Sequence, residues 1–251
     1  MIIHREVEGQ IKSVTVSKTP SGKYYASIVA ECELPSSPLK GEKIGLDLGL
    51  KEFAITSKPE KFENPRYFQR SLRRLKIRQR RLSRKDKDSK NRNKARIRVA
   101  KIHEKVANQR LDYQHKISLK LTCENQTINC EDLNIKGMVK NRKLAKQISD
   151  VAWGQFLTLL EYKGERYGCE IKRVARFFPS SKRCSSCGYI KEDLTLKDRE
   201  WTCPECHVHH DRDINACHNL LQFSNGYIGQ EVSKSTPNQT VEIPCIKSSS
   251  S

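Results

Sequence analysis

Two cysteine pairs carry the clearest chemical signal in this sequence. Cys184 and Cys187 form one C-x-x-C, Cys203 and Cys206 form a second, and 15 residues separate the inner cysteines. This spacing is typical of a zinc ribbon, in which two knuckles joined by a short β-hairpin aim four thiolates at one cation about 2.3 Å from each sulfur. Four sulfurs complete the coordination shell, so we expect this zinc to be structural.

The sequence leaves other interpretations of the cysteines open. The spacing could arise by chance or belong to a redox C-x-x-C, although two matched pairs around Trp201 and Thr202 favour zinc. His207, His209 and His210 follow closely and could compete as ligands. Because the sulfur set is already complete, we expect the histidines to lie outside the coordination shell.

Three carboxylates stand where they could hold a cation. Asp47 interrupts the apolar run KIGLDLGLKEFAITS, Glu131 ends the strand pattern of TINCEDL, and Asp213 starts the helical pattern DINACHNLLQF. A carboxylate in an apolar strand needs a partner, although Asp47 could instead cap a tight hairpin. Carboxylates that meet can hold two hard cations about 4 Å apart, which activate water and stabilise the leaving oxygen of a phosphodiester. Sequence spacing does not show that the three meet.

A large positive charge predicts a polyanionic partner. The formal net charge is +19, and nucleic acid is the usual counterpart of such an excess. A membrane surface is the weaker alternative, since the sequence shows no lipid anchor and no long apolar run. We therefore expect a nucleic-acid partner and no membrane.

Much of this charge is concentrated between residues 66 and 110, where 19 Lys and Arg face three acids. Apolar residues at helical spacing predict two helices here, with KDKDSKN between them and Ser89 as the cap of the second. Such a run is often only a solvated face, but one so one-sided would repel itself without an anion, which favours phosphate contact. The residues expected to contact nucleic acid are Arg73, Arg74, Arg78, Arg80, Arg81, Arg84, Lys94, Arg96 and Arg98.

Periodic patterns predict the elements that position these residues. We expect a hairpin around Pro20-Ser21-Gly22, continuation of the second basic helix toward Leu121, and one helix from residue 147 to 167 that ends at Gly168. Strands are expected at residues 43–57 as a pair, at 127–133, and from Glu170 onward. Ten cysteines without a signal peptide indicate a reducing compartment, so we expect a cytoplasmic protein.

Six sequence blocks, in order, resemble the TnpB (OrfB) family of transposon-associated proteins, which is related to the type V CRISPR effectors. They are GLDLGLKEFA around Asp47, EDLNIKGM around Glu131, YKGERYG, RFFPSSKRCSSCG, LTLKDREWTCPEC and DRDINA around Asp213. The resemblance spans residues 1 to about 222.

The resemblance implies an α/β fold with an RNase H-like (RuvC) nuclease domain at residues 41–182. It implies a basic helical insert at 66–122, an inserted four-cysteine zinc ribbon at 183–206, and the last acidic motif with its helix at 207–223. Asp47, Glu131 and Asp213 match the family's catalytic acids, which hold Mg²⁺ or Mn²⁺, and the four cysteines match its zinc ligands. Asp211 and Asp132 are the second choices for catalysis.

The resemblance also implies RNA-guided cleavage of DNA beside a short flanking motif, next to an older assignment of the family as transposases. Full-length relatives carry guide RNA on a longer N-terminal part. Residues 1–40 resemble only the last hairpin of that part's wedge domain, so we expect an N-terminally truncated member, with a disordered tail at 224–251. A nucleic-acid-binding remnant or regulator without catalysis is the alternative function, and a strand-joining transposase ranks last.

Overall fold

The structure is a computed structural model that describes residues 6–32, 41–176, 178–195 and 197–223. The tail from residue 224, both ends of the segment expected as a wedge hairpin, and Phe177 and Leu196 lie outside the described residues. The chain forms two compact units. The first contains the described residues up to 32 together with Tyr67–Tyr113, and the second contains residues 41–66 and 114–223.

The first unit consists of a β-hairpin and two long basic helices. Strands β1 (Gln10–Lys18) and β2 (Tyr24–Glu31) pair antiparallel, as the sequence predicts. Helix α1 spans Tyr67–Ser83, and helix α2 spans Lys90–Glu124 and continues into the second unit. The Ser89 hydroxyl accepts a hydrogen bond from the Arg92 backbone N–H at 3.0 Å, which confirms the predicted cap.

The hairpin is supported by α2 through polar contacts at its turn. Glu104 accepts a hydrogen bond from the Ser21 hydroxyl at 2.9 Å and forms an ion pair with Lys23, also at 2.9 Å. The alternating apolar residues do share one face of the hairpin, but Val14 is 54% exposed and Val16 is 71% exposed. The hairpin therefore rests on its turn rather than on a buried apolar face.

The second unit is built around a mixed five-stranded sheet. Its strand order is β5 (Lys61–Glu63), β4 (Glu52–Thr56), β3 (Lys43–Asp47), β6 (Thr127–Glu131) and β7 (Glu170–Val174). β3, β6 and β7 run parallel, whereas β4 is antiparallel to both of its neighbours. Residues 127–130 are buried on both faces of the sheet, which is typical of parallel strands covered by helices on each side. The fold is thus mixed α/β.

Short helices follow β6, and one predicted helix is interrupted. Helices α3 (Ile135–Met138), α4 (Ala145–Val151) and α5 (Trp153–Tyr167) lie between β6 and β7. The single helix expected over residues 147–167 is wrong, because Ala152 adopts a left-handed conformation with φ 55°. The Gln114 side chain donates to the Val151 carbonyl at 2.9 Å and to the Ala152 carbonyl at 3.2 Å, and so satisfies groups that the break exposes. Gly168 ends α5 as predicted, with φ 75°.

The last described helix, α6 (Arg212–Phe223), lies directly on the sheet. A Cβ at Gly45 would overlap the Cys217 carbonyl oxygen and lie 2.9 Å from the Leu221 backbone nitrogen. Only glycine therefore permits this close approach of helix and strand. Across the described ranges, every helix is too short or too polar to cross a membrane.

Candidate active site and cysteine cluster

Two of the predicted carboxylates lie at the ends of neighbouring parallel strands. Asp47 is the last residue of β3, and Glu131 is the last residue of β6. Leu46 is the register partner of Cys130, so Asp47 and Glu131 are level with each other. Adjacent strands are about 4.8 Å apart, which places both carboxylates at one edge of the sheet.

Helix α6 brings the third carboxylate to the same edge. Gly45 and Asn129 precede the two acids by two residues and contact α6, so strand alternation points Asp47 and Glu131 toward that helix. Asp213 is in the first turn of α6, one helical turn before Cys217. The distance from Cys217 back to Asp213 along the helix and the distance from Gly45 to Asp47 along the strand are both about 6 Å, so Asp213 reaches the level of the strand-end acids. The three predicted acids therefore converge, which sequence spacing could not show.

The electrostatics of Asp47 reflect this convergence. Burial, together with the negative charges of Glu131 and Asp213, raises the pKa of Asp47 to about 7. Three carboxylates in a partly buried cluster repel one another unless a cation or a proton compensates them. The donor set consists of oxygens only, which is what Mg²⁺ and Mn²⁺ prefer.

Side chains that the sequence did not single out hold two of the acids in place. The buried Ser180 hydroxyl donates to Glu131, and the Asn219 side chain donates to the Ser180 carbonyl at 2.8 Å. Asp213 forms ion pairs with Arg199 at 3.5 Å and with Arg212 at 3.2 Å. Glu131 and Asp213 are thus oriented from outside the cluster.

The two second-choice acids have other roles in the structure. One Asp211 oxygen accepts from the backbone N–H of Asp213 at 2.9 Å and of Ile214 at 3.1 Å, so Asp211 caps α6. Asp132 pairs with Arg176 at 2.7 Å and with Arg173 at 3.5 Å. Asp211, two residues before Asp213, is therefore the residue that caps this helix.

The four predicted cysteines come together in one cluster. All four sulfur atoms lie within 4.8 Å of one another. The Cys184 and Cys206 sulfurs are 3.6 Å apart, and the Cys187 and Cys203 sulfurs are 3.5 Å apart. Tetrahedral zinc with bonds of about 2.3 Å separates its sulfur ligands by about 3.8 Å. The donor set therefore fits one zinc ion.

The strand pairing around this cluster differs from the expected arrangement. Strand β8 (Glu200–Thr202) pairs with β9 (His209–Asp211), and Arg183 forms a bridge with Ile190. Each C-x-x-C is therefore enclosed by its own hairpin, and the expectation of one hairpin joining the two knuckles is wrong. Strand β9 also lies beyond residue 206, the expected end of the ribbon, so the ribbon's strand pairing continues past that bound.

His210 lies beside the cysteine cluster rather than within it. Its Nε2 is 3.0 Å from the Cys184 sulfur, and its ring packs against Trp201 with centroids 5.0 Å apart. Burial is the main cause that lowers the pKa of His210, and the electrostatic effect of nearby His209 and His218 lowers it further. A neutral imidazole N–H can donate to a thiolate that is itself a metal ligand.

Helix α6 links the cysteine cluster to the carboxylates. The Asn215 side chain accepts from the Ser185 backbone N–H at 2.9 Å and donates to the Arg183 carbonyl at 2.7 Å. Asn219 also donates to the Arg183 carbonyl, at 2.6 Å. Both asparagines are buried. The base of the first knuckle is thereby fixed to the helix that carries Asp213.

The basic residues expected to contact nucleic acid all belong to the first unit. Arg73, Arg74, Arg78, Arg80 and Arg81 lie on α1, and Arg84 follows it. Lys94, Arg96 and Arg98 lie near the start of α2. Eight of the nine are exposed, and Arg78 is half-buried. Their contact with nucleic acid stays a prediction.

Comparison with known families gives two matches along the chain. Residues 14–142 match the family OrfB_IS605, described as "Probable transposase". Residues 153–220 match the "Cas12f1-like, TNB domain" family. Together these matches cover both strand-end acids, the cysteine cluster and Asp213.

Similar proteins include two bacterial relatives that are longer than this chain. A "Putative RNA-guided DNA endonuclease" of Streptomyces pristinaespiralis is 43% identical over 209 residues, which are 83% of this chain and 52% of the relative. The "Putative RNA-guided DNA endonuclease InsQ" of Escherichia coli is 30% identical over 93% of this chain and 62% of its own length. The chain thus spans between half and two thirds of these relatives.

One solved structure supports the fold. The protein in a cryo-EM structure of a Cas12f1-sgRNA-target DNA complex superposes with a TM-score of 0.51 and 17% sequence identity. The superposition covers 83% of this chain and 55% of that protein. At this identity the likeness concerns the fold alone.

Proposed function

The chain belongs to the TnpB (OrfB) family of transposon-associated proteins, and we propose that it is an RNA-guided DNA endonuclease with a metal-dependent, RuvC-like site. The observation that carries this proposal is the convergence of Asp47, Glu131 and Asp213 under the start of α6. The names of the bacterial relatives support the same general activity.

The proposed fold assignment follows the order of the elements. An RNase H-like core at residues 41–182 would hold the basic helical insert at 66–122, followed by a zinc ribbon at 183–206 and the last acidic motif at 207–223. The mixed sheet, with acids at the ends of its central parallel strands, supports this assignment. Residues 1–40 would correspond to a wedge-domain hairpin.

In the proposed mechanism, Asp47, Glu131 and Asp213 would hold the catalytic Mg²⁺ or Mn²⁺. When bound, the cations supply a water of lowered pKa and stabilise the leaving oxygen of the phosphodiester. Asp47 would hold the cation as a carboxylate, which requires loss of a proton from part of the population at neutral pH because its pKa is about 7. Ser180 and Arg199 keep Glu131 and Asp213 in orientation.

The cysteine cluster has a structural role in this proposal. Cys184, Cys187, Cys203 and Cys206 would hold one Zn²⁺, which stabilises the two hairpins of the ribbon. Through Asn215 and Asn219 the ribbon then fixes α6, and with it Asp213. Zinc would therefore support catalysis without contacting the substrate.

Cleavage of single-stranded and double-stranded DNA in Mg²⁺ tests the proposal, with RNA co-purified from the host either retained or removed. We expect cleavage by the wild type and none by Asp47→Ala. Asp132→Ala is the matched control, because it removes a carboxylate one residue beyond Glu131 that is already paired with arginines. Cleavage that survives Asp47→Ala would reject the assignment.

A nucleic-acid-binding role without cleavage is the second candidate. The exposed basic helices of the first unit favour binding irrespective of chemistry. Salt-sensitive binding of RNA or DNA, with no product in any divalent metal, would support this alternative.

A further inference from the structure

A groove of 610 Å³ lies between α1 and α2, entirely within the first unit. Six of the residues that line it are lysine or arginine, and none is acidic. On α1 the basic lining residues are Arg70, Arg74 and Arg78, and on α2 they are Arg98, Lys101 and Lys105.

The two helices form an antiparallel hairpin that fixes this groove. The Arg92 guanidinium, near the start of α2, donates to the Lys85 carbonyl just beyond α1 at 2.9 Å. At the other end, the ring of Tyr67 meets the ring of Tyr113 edge-on, with centroids 6.2 Å apart. Ile102 is buried and lines the groove. The helices are thus connected at both ends, with apolar packing between them.

The cations form two facing stripes along this hairpin. Arg70, Arg74 and Arg78 recur every four residues, so their side chains share one side of α1 at intervals of about 6 Å. Because the helices are antiparallel, their lining residues follow in opposite order, so Arg78 and Arg98 lie toward one end of the groove, and Arg70 and Lys105 lie toward the other. Positive groups therefore face each other at successive levels along the groove.

The protein compensates these stripes only weakly: Lys101 is near enough to Glu104 to help lower the pKa of that carboxyl, but Glu104 is already paired with Lys23. Within the part of the chain that the structure describes, none of the six side chains forms an ion pair. Other basic residues nearby do have protein partners, such as Arg96, which donates to the Pro20 carbonyl at 3.3 Å. Facing like charges repel one another, so the groove favours an anion with charges at regular intervals.

We propose that this groove holds a single sugar-phosphate strand of RNA or DNA, with its phosphates between the two stripes. Packed helices are about 10 Å apart, so the space between them is too narrow for a double helix. Arg74, Arg78 and Arg98, already predicted to contact nucleic acid, belong to this groove, and Arg70, Lys101 and Lys105 join them. The inference rests on the proposed function only for the choice of nucleic acid as the polyanion.

Binding of fluorescent oligonucleotides to the full chain tests this proposal, with anisotropy measured over a range of salt concentrations and without divalent cations. The probes are single-stranded RNA, single-stranded DNA and duplex DNA of one sequence. The groove variant carries Arg70→Gln, Arg74→Gln and Arg78→Gln. The matched control carries Lys76→Gln, Lys85→Gln and Lys87→Gln, which removes the same charge from exposed positions on α1 and in the loop after it. These positions neither line the groove nor belong to the residues predicted to contact nucleic acid.

The groove variant should bind single strands at least about tenfold more weakly, and its salt slope should fall by about 2, because each lost phosphate contact contributes about 0.7. The matched control should lose less than about threefold. A second groove variant with Arg98→Gln, Lys101→Gln and Lys105→Gln should reproduce the loss from the opposite wall. Comparison of the single-stranded RNA and single-stranded DNA probes shows which nucleic acid the groove prefers.

Equal losses in the groove variant and the matched control would overturn the proposal, because the overall positive charge of the protein, rather than the groove, would then explain binding. Wild-type protein that binds duplex as tightly as single strands would also overturn it. Circular dichroism and thermal unfolding must match among the variants, and the opposite-wall variant provides an independent test if one protein is unstable. Because the assay needs no cleavage, a failed nuclease assay with intact groove binding would count against the proposed function alone.

Discussion

Replacing Asp47 with asparagine should make the protein more stable while abolishing its proposed activity. In the folded chain Asp47 is confined near Glu131 and Asp213, and burial together with their charges raises its pKa from 3.8 to about 7. Asparagine retains the size of the side chain but carries no charge. Without a divalent cation, Asp47→Asn therefore removes a repulsion that the wild type must tolerate.

The magnitude follows from the difference between the two pKa values. A shift of this size corresponds to about 4 kcal/mol, and we expect about 2 to 4 kcal/mol because the asparagine amide still requires hydrogen-bond partners. Below about pH 4 both the folded and the unfolded wild type hold the Asp47 proton, so the penalty is absent. It grows as pH rises to about 7, because the unfolded chain releases this proton and the folded chain retains it.

Urea unfolding at pH 8 and pH 5 measures this effect, in buffer without Mg²⁺ or chelator so that zinc in the cysteine cluster is retained. The free energy of unfolding of Asp47→Asn should exceed that of the wild type at pH 8, and the difference should shrink to less than half at pH 5. Asp132→Asn is the control: it breaks half-exposed ion pairs with Arg173 and Arg176 and should lower stability by about 0 to 1 kcal/mol.

Added Mg²⁺ should stabilise the wild type and leave Asp47→Asn nearly unchanged, because only the wild type has the complete set of carboxylates. An Asp47→Asn protein that is less stable than the wild type at pH 8 would refute this reasoning. So would a gain in stability that does not depend on pH.

Three further perturbations follow from contacts in the second unit. Ser180→Ala removes the hydroxyl that donates to Glu131 and should slow cleavage by about tenfold with little change in thermal stability. An unchanged cleavage rate would argue that Ser180 does not orient Glu131. Gly45→Ala places a methyl group against the α6 backbone and should destabilise the fold by about 3 kcal/mol or more. Gly154→Ala is the control, because the atom nearest to its new methyl group would be 3.5 Å away and stability should not change. Equal unfolding midpoints for the two variants would contradict the close packing of α6 on β3. The purified chain should contain one zinc ion by elemental analysis, and Cys203→Ser should lose both the zinc and stability. Full zinc retention in that variant would exclude Cys203 as an essential ligand.

Local patterns predicted those parts of the fold that local physics determines. The helical spacing of the basic region gave α1 and α2, and Ser89 was identified as a cap because a hydroxyl just before a helix satisfies a free N–H. The break at Ala152 carried no such signal. Alanine favours helices, and its left-handed conformation depends on Gln114, 38 residues earlier in the chain.

The candidate site shows the same division between local and long-range information. An aspartate in an apolar strand marked Asp47 as unusual, and the cysteine spacing identified a metal cluster. The convergence of the acids depends on the parallel register of β3 with β6 and on the packing of α6 over Gly45, which join segments more than 80 residues apart. Ser180 and Asn219 were missed because serine and asparagine are common in loops and helices, and only their partners reveal a role.

Binding of Mn²⁺ followed by electron paramagnetic resonance tests most directly whether the three acids form a metal site. Wild-type protein should bind Mn²⁺ tightly and in competition with Mg²⁺. Asp47→Ala and Glu131→Ala should each lose that binding, while Asp132→Ala, with its carboxylate already paired to arginines, should retain it. Mn²⁺ binding that persists unchanged in Asp47→Ala and Glu131→Ala would contradict a catalytic metal site at these residues.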